Sequence, residues 1–312
     1  MQGQIVLPAG VSIFIIAFLL ALLPAGLFIW MWYLRRTDRP VPASTVVLSW
    51  LAGLALVLPA FQLEKWGGWL WQVISPETAH YFAGAALPLT GISDFFWPAV
   101  ATFLVVALVE EGVRYILLRW WIGRGYSIDQ VFDGLVLGVA AGLGFATLEN
   151  TLYFLELFRQ ENFDTLVFVF FLRFLISTLA HISFGGIMGA LIARGTFSMY
   201  KKSSFMRQAF LLPWFVHGLY DFLLGLNLTI YAVLVIVPPL MMLVVWAARR
   251  EFFVISRKNG KLLLFEEAPI SRRNEIVKKL LRQFDSPWNK NAPWLAQRAH
   301  RGALLRQLID NG

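Results

Sequence analysis

The sequence predicts an all-α membrane protein, a polytopic bundle of about seven transmembrane helices. Three observations carry that expectation. Of 312 residues, 58% are hydrophobic and only 15% charged, where soluble domains carry about 25% charged residues. Apolar stretches near the roughly 20 residues that cross a bilayer core recur along the chain. Lys and Arg collect on alternate connections between those stretches.

The first stretch, about 10–33, follows MQGQIVLPAG, which lacks the basic n-region of a cleavable signal peptide, so it reads as a retained helix. RRTDRPVP ends it, and 43–62 forms the second. From about 63 to 94 the chain is Trp-rich and reads as an interfacial segment. The third, fourth and fifth spans fall near 95–121, 132–156 and 165–192, and the sixth and seventh near 207–226 and 229–248. Pro238-Pro239 should kink the last, with neighbouring helices meeting the freed carbonyls. Gly134, Gly138 and Gly142 in the fourth span, and Gly185 and Gly189 in the fifth, repeat at four-residue spacing. Such ladders let helix backbones approach closely, which places these two spans in the middle of the bundle.

Arg35, Arg36, Arg39, Arg119, Arg124, Arg194, Lys201, Lys202 and Arg207 share one side with the C-terminal tail, against Lys65 and Arg159 on the other. The N-terminus is therefore expected outside and the C-terminus in the cytoplasm. Two domains follow: a bundle over 1–248, with its core at about 95–226, and a basic cytoplasmic tail over 249–312. The tail holds fourteen Lys and Arg against six Asp and Glu, so the net +8 of the chain belongs to it. That charge speaks to anionic lipid, and no nucleic-acid partner is expected. Within the tail, Asn259-Gly260 between apolar runs signals a hairpin. Amphipathic helices are expected near 271–284 and 293–309, lying on lipid or against the bundle. His80 and His300 read as surface residues. The absence of cysteine excludes disulfides, a thiol nucleophile and thiolate metal ligands.

Ionisable side chains inside the spans are costly, about 2.5–3.5 kcal/mol each on insertion scales. Glu110, Glu111, Glu149, His181, His217 and Asp221 all lie there. A helical rise of about 1.5 Å per residue puts Glu111 and His217 about 15 Å deep, His181 about 18 Å, and Glu149 and Asp221 about 24 Å. The expectation is one polar stack. Glu110 and Arg114 share a helix face, Glu111 is within reach of the same guanidinium, and His217 shares a face with Asp221. A base-capable carboxylate, two imidazoles and orienting groups around a wet site are the parts of a water-activating hydrolase.

In these residues the chain resembles the PrsW-type family of intramembrane proteases, relatives of the CAAX- and bacteriocin-processing membrane proteases. The matching pieces are Glu110-Glu111-x-x-Arg114, Phe145-Ala-x-x-Glu149-Asn150, the isolated His181 and His217-x-x-x-Asp221, in order and one per span. Arg114 stands where a lysine is often found. The resemblance implies an endopeptidase of a bacterial cytoplasmic membrane that cuts a membrane-anchored protein, in some members an anti-sigma factor. It implies Glu110 and Glu111 as catalytic carboxylates, Glu149, His181 and His217 completing the site, and Arg114, Asn150 and Asp221 in support. Two chemistries are open. In one, a glutamate takes a proton from water while Asn150 and the histidines stabilise the oxyanion. In the other, His181, His217 and Glu149 hold a divalent metal such as zinc; no H-E-x-x-H helix is present. A proton-coupled carrier or a non-catalytic scaffold would use the same buried groups differently.

Overall fold

Every one of the expected apolar stretches is helical. The computed structural model describes residues 9–30, 41–74, 76, 93–123, 128, 131–160, 163–197, 201–248, 253–256 and 261–264. The expected tail helices, His80, His300 and most of the interfacial segment lie outside them. In chain order the helices are α1 (Ala9–Ile29), α2 (Ala43–Ile74), α3 (Ser93–Val100), α4 (Ala107–Gly123), α5 (Val131–Arg159), α6 (Phe163–Leu172), α7 (Thr178–Phe197), α8 (Lys202–Gly225) and α9 (Thr229–Ala248). Strands β1 (Phe253–Ser256) and β2 (Lys261–Leu264) pair antiparallel with Ser256 opposite Lys261, flanking the Asn259-Gly260 signal, so the elements among the described residues are helical apart from this strand pair. Among the described residues, four helical stretches, Gly10–Ile29, Ala43–Ile74, Val131–Arg159 and Thr165–Thr196, are long and apolar enough to cross a membrane, and Thr229–Val244 is a shorter apolar helix. The protein is an integral membrane protein.

Helix α5 is the axis. Every residue from Val131 to Leu148 is buried, as a helix apolar on all sides requires. Its glycines set how close the neighbours come. A Cβ on Gly138 would collide with the Gly185 carbonyl of α7, one on Gly134 with the Gly189 carbonyl, and one on Gly142 with the His181 carbonyl. On the opposite face, Gly144 meets the Trp50 carbonyl of α2, and Gly53 of α2 meets the Ala141 carbonyl. Ser49 Oγ donates to Leu137 O at 2.8 Å, fixing α2 against α5. Because Gly142 touches the backbone at His181, the same packing fixes the depth of that imidazole.

Two π-helical stretches interrupt otherwise regular helices. Ala101–Val106 joins α3 to α4, and Arg173–Ser177 joins α6 to α7. A π turn shifts the register of the backbone ladder. Here side chains take carbonyls in both stretches: Trp214 Nε1 of α8 donates to Phe103 O at 2.7 Å, and Thr178 Oγ1 donates to Arg173 O at 2.9 Å. Each stretch lies within two turns of a buried ionisable group, Glu110 in one case and His181 in the other.

The sequence places the end of the second span near 62, yet α2 runs on to Ile74. Glu64 and Lys65 lower the apolar signal there without breaking the helix. Gly67 is accommodated because it packs on Val105 of the first π stretch. Between α8 and α9 the chain reverses through Asn227 at φ 59°, with Leu228 N donating to Leu223 O at 2.9 Å; asparagine is one of the few non-glycine residues that adopts this conformation readily.

Candidate active site

Four helices, α4, α5, α7 and α8, bring the sequence-selected polar residues into one cluster. At its floor lies Arg114, fully buried on α4. Its guanidinium contacts Glu111 Oε1, stands 3.9 Å from Glu110 Oε2 and reaches His181 Nδ1 at 3.3 Å. The Phe145 ring of α5 lies 4.5 Å beneath it. An arginine has only donors, so Nδ1 of His181 accepts and Nε2 carries the proton. That Nε2 then donates to Glu149 Oε2 at 2.7 Å.

His217 on α8 faces carboxylates from both nitrogens. Nδ1 lies 2.8 Å from Glu111 Oε1, and Nε2 lies 3.1 Å from Asp221 Oδ2 and 3.9 Å from Glu110 Oε2. The ring stacks on Phe184 at 4.8 Å and stands 5.8 Å from the His181 ring. Gly218 leaves room for the Phe103 ring beside it, so α8 approaches the first π stretch closely. The two imidazoles are thus held by aromatic walls and oriented by carboxylates, which is how such rings are kept in one rotamer.

Glu149 is bound from two sides, by His181 and by Arg173 NH2 at 2.8 Å. Arg173 Nε also donates to Asn150 Oδ1 at 2.5 Å, and its guanidinium stacks 3.7 Å over the Tyr153 ring. Asn150 spends the other half of its amide on Thr178 Oγ1, at 3.3 Å. Its side chain ties α5 to the start of α7 and is almost fully buried.

Exposure rises along the cluster in one direction. The side chains of Glu111 and Arg114 are 0% exposed, those of His181 and His217 about 5%, and those of Glu149 and Asp221 21% and 25%. The cluster is therefore least covered at its Glu149–Asp221 end. Buried carboxylate oxygens without a hydrogen-bond partner remain in the interior: Oε2 of Glu110 and Oε2 of Glu111. Such atoms are costly unless a partner arrives. Among the described residues, no three His, Asp or Glu side chains form a ready-made metal cage.

Several participants lack a sequence signal of their own. Arg173 is one of several polar residues near the end of an apolar run, and Phe184 looks like any core aromatic. Glu64 looks like the first residue of a loop. The pairing Asn150–Arg173 depends on how far α6 and α7 are rotated by the π stretch between them, which no local pattern specifies.

The sequence pattern of a family described as "PrsW family intramembrane metalloprotease" matches residues 41–248. The "Protease PrsW" of Geobacillus kaustophilus (strain HTA426) is 31% identical over 192 residues, covering 62% of this chain and 72% of that protein. The "Protease PrsW" of Bacillus subtilis (strain 168) is 28% identical over 204 residues, 65% of this chain and 80% of the relative. That of Clostridioides difficile (strain 630) is 32% identical over 138 residues, 44% and 56% of the two chains. No solved structure matches. A match over 41–248 takes in α2 through α9, all the helices that build the cluster, and on that ground the chain belongs to the PrsW family of intramembrane metalloproteases.

Proposed function

We propose that Glu110 is the general base of this protease, acting on water beside a membrane-embedded peptide bond. One observation carries the assignment. Glu110 Oε2 is buried, has no hydrogen-bond partner and faces His217 Nε2 across 3.9 Å. Glu111 Oε2 is likewise without a hydrogen-bond partner, but its Oε1 is committed to both Arg114 and His217, so it serves as the fixed anion that holds these two residues. In hydrolysis, Glu110 takes one proton from water as the water oxygen bonds the carbonyl carbon. His217 N–H donates to the developing oxyanion, its charge balanced by Glu111 and Asp221. The proton held by Glu110 then passes to the amide nitrogen as the C–N bond breaks, leaving an acid and an amine. Asn150 is a positioning residue, since its amide is used up by Thr178 and Arg173.

A divalent ion such as zinc suits the donor chemistry: imidazoles and carboxylates are its usual ligands without thiolates. The orphaned Glu110 oxygen beside an imidazole nitrogen is where a cation would be welcome. His181, His217 and Glu149, with Glu110 adjacent, would hold it, and those imidazole nitrogens would then give up the hydrogen bonds described above. When bound, such an ion lowers the pKa of water and polarises a carbonyl.

The substrate we propose is a membrane-anchored protein, for instance an anti-sigma factor, cut in a bacterial cytoplasmic membrane. The chain would cross it seven times, N-terminus outside, with the bundle over 1–248 and the basic tail from 249 against cytoplasmic lipid. The Lys and Arg asymmetry of the loops supports that orientation. A single-span reporter co-reconstituted with the protein tests the activity. Wild type is expected to cleave it, and Glu110→Gln, Glu111→Gln and His217→Ala to lose at least about a hundredfold in rate with abundance retained. Full activity in Glu110→Gln would remove it as the base.

A further inference from the structure

Glu64 stands on the inner face of α2. The buried residues of that helix, Val46, Ser49, Gly53, Val57 and Ala60, recur at three- and four-residue steps. The same stripe continues through 64 and 67, and Gly67 indeed abuts Val105. Val57 and Ala60 pack with Phe145 and Leu148 of α5 and with Val109 and Val113 of α4. One turn beyond Ala60, Glu64 therefore lies level with Leu152, within about one turn of Glu149, towards the end where the cluster is most exposed. Its electrostatic neighbours are Glu149, His217 and Asp221, and Glu110 senses it in turn.

The charges around this mouth do not balance. Glu111 has Arg114, Glu149 has Arg173, and Asp221 has His217. Among the described residues no cation stands within ion-pair distance of Glu64. Lys65 does not serve, because adjacent helical residues face different ways and its ammonium sits 5.6 Å over the Phe61 ring. Deeper in the pocket the buried Glu110 oxygen is also without a partner. Two carboxyl groups without a close cation partner, in a cleft between apolar helices, would each gain from a cationic occupant.

We infer that Glu64 is a specificity-determining residue that selects a Lys or Arg side chain next to the cleaved bond, as the substrate passes the mouth of the pocket between α2, α5 and α8. The inference rests on the protease site proposed above. Substrate entering past Glu149 and Asp221 must also pass Glu64, and a primary amine or guanidinium there would form the charge-assisted hydrogen bond the helix itself leaves unmade.

The test uses full-length protein in nanodiscs and a set of single-span reporters that differ only in carrying Lys, Gln or Glu beside the cleavage point mapped by mass spectrometry. Wild type is expected to favour the Lys over the Glu reporter by about tenfold or more in kcat/KM, mainly through KM. Glu64→Gln should bring that ratio close to one, and Glu64→Lys should invert it. Thermal unfolding of each variant checks the fold, and Glu64→Gln alone decides if the lysine variant does not assemble. A ratio indifferent to Glu64→Gln overturns the inference, as does a loss of bound metal on Glu64→Gln with the ratio unmoved, which would make Glu64 a ligand. Cleavage persisting in Glu111→Gln would instead strike the underlying site, so the two failures are distinguishable.

Discussion

Replacing Arg114 with methionine removes a fully buried cation and leaves two buried carboxylates without it. Its guanidinium lies 3.9 Å from Glu110 and in direct contact with Glu111. At an effective dielectric of about 20, a separation of 3.9 Å corresponds to about 4 kcal/mol for the Glu110 pair alone. Breaking a buried pair by deleting one partner costs about 3–5 kcal/mol in practice. A fifth or more of a typical stability of about 5–15 kcal/mol is then at stake. Thermal unfolding in detergent should fall by about 10 °C, and membrane abundance with it. The second arm carries the discrimination. Adding Glu110→Gln and Glu111→Gln to Arg114→Met removes the uncompensated charges and should restore most of the loss, while cleavage stays absent. Arg114→Lys keeps the charge but not the fork that spans Glu111 and His181. It should unfold near wild type and cleave more slowly. If Arg114→Met unfolds within about 2 °C of wild type, or if neutralising both glutamates restores nothing, the guanidinium is not what holds this cluster together.

Two further outcomes follow from the packing and from the donor set. Gly138→Ala should lower the unfolding temperature and the activity together, because its Cβ meets the Gly185 carbonyl and overpacking costs about 1–3 kcal/mol; Gly26→Ala, with open space around it, is the matched control and should unfold like wild type. Elemental analysis of purified protein should find about one equivalent of divalent metal, reduced in His181→Ala and His217→Ala; undiminished cleavage by metal-stripped protein would favour the route in which the carboxylates act without it.

The amino-acid sequence by itself determined that this chain lives in a bilayer, because so few charges and so many long apolar runs leave no soluble alternative. It also marked each span as helical, and with it the glycine faces of α5 and α7 and which groups share a face within one helix, such as Glu110 with Arg114 or His217 with Asp221. Those are consequences of the 3.6-residue period, which acts locally. It marked the ionisable residues in the spans as a set because burying them separately would be costly. What it left open is how the helices are turned about their own axes and how deep each one sits. Only the tertiary structure decided that Glu111 Oε1 is bound twice while no oxygen of Glu110 comes closer than 3.9 Å to its partners, that Asn150 is consumed by Thr178 and Arg173, and that Glu64 belongs to a long α2. Backbone collisions at Gly53, Gly138, Gly142 and Gly144, together with the two π stretches, set those rotations. They arise between elements far apart in the chain, so no local pattern records them.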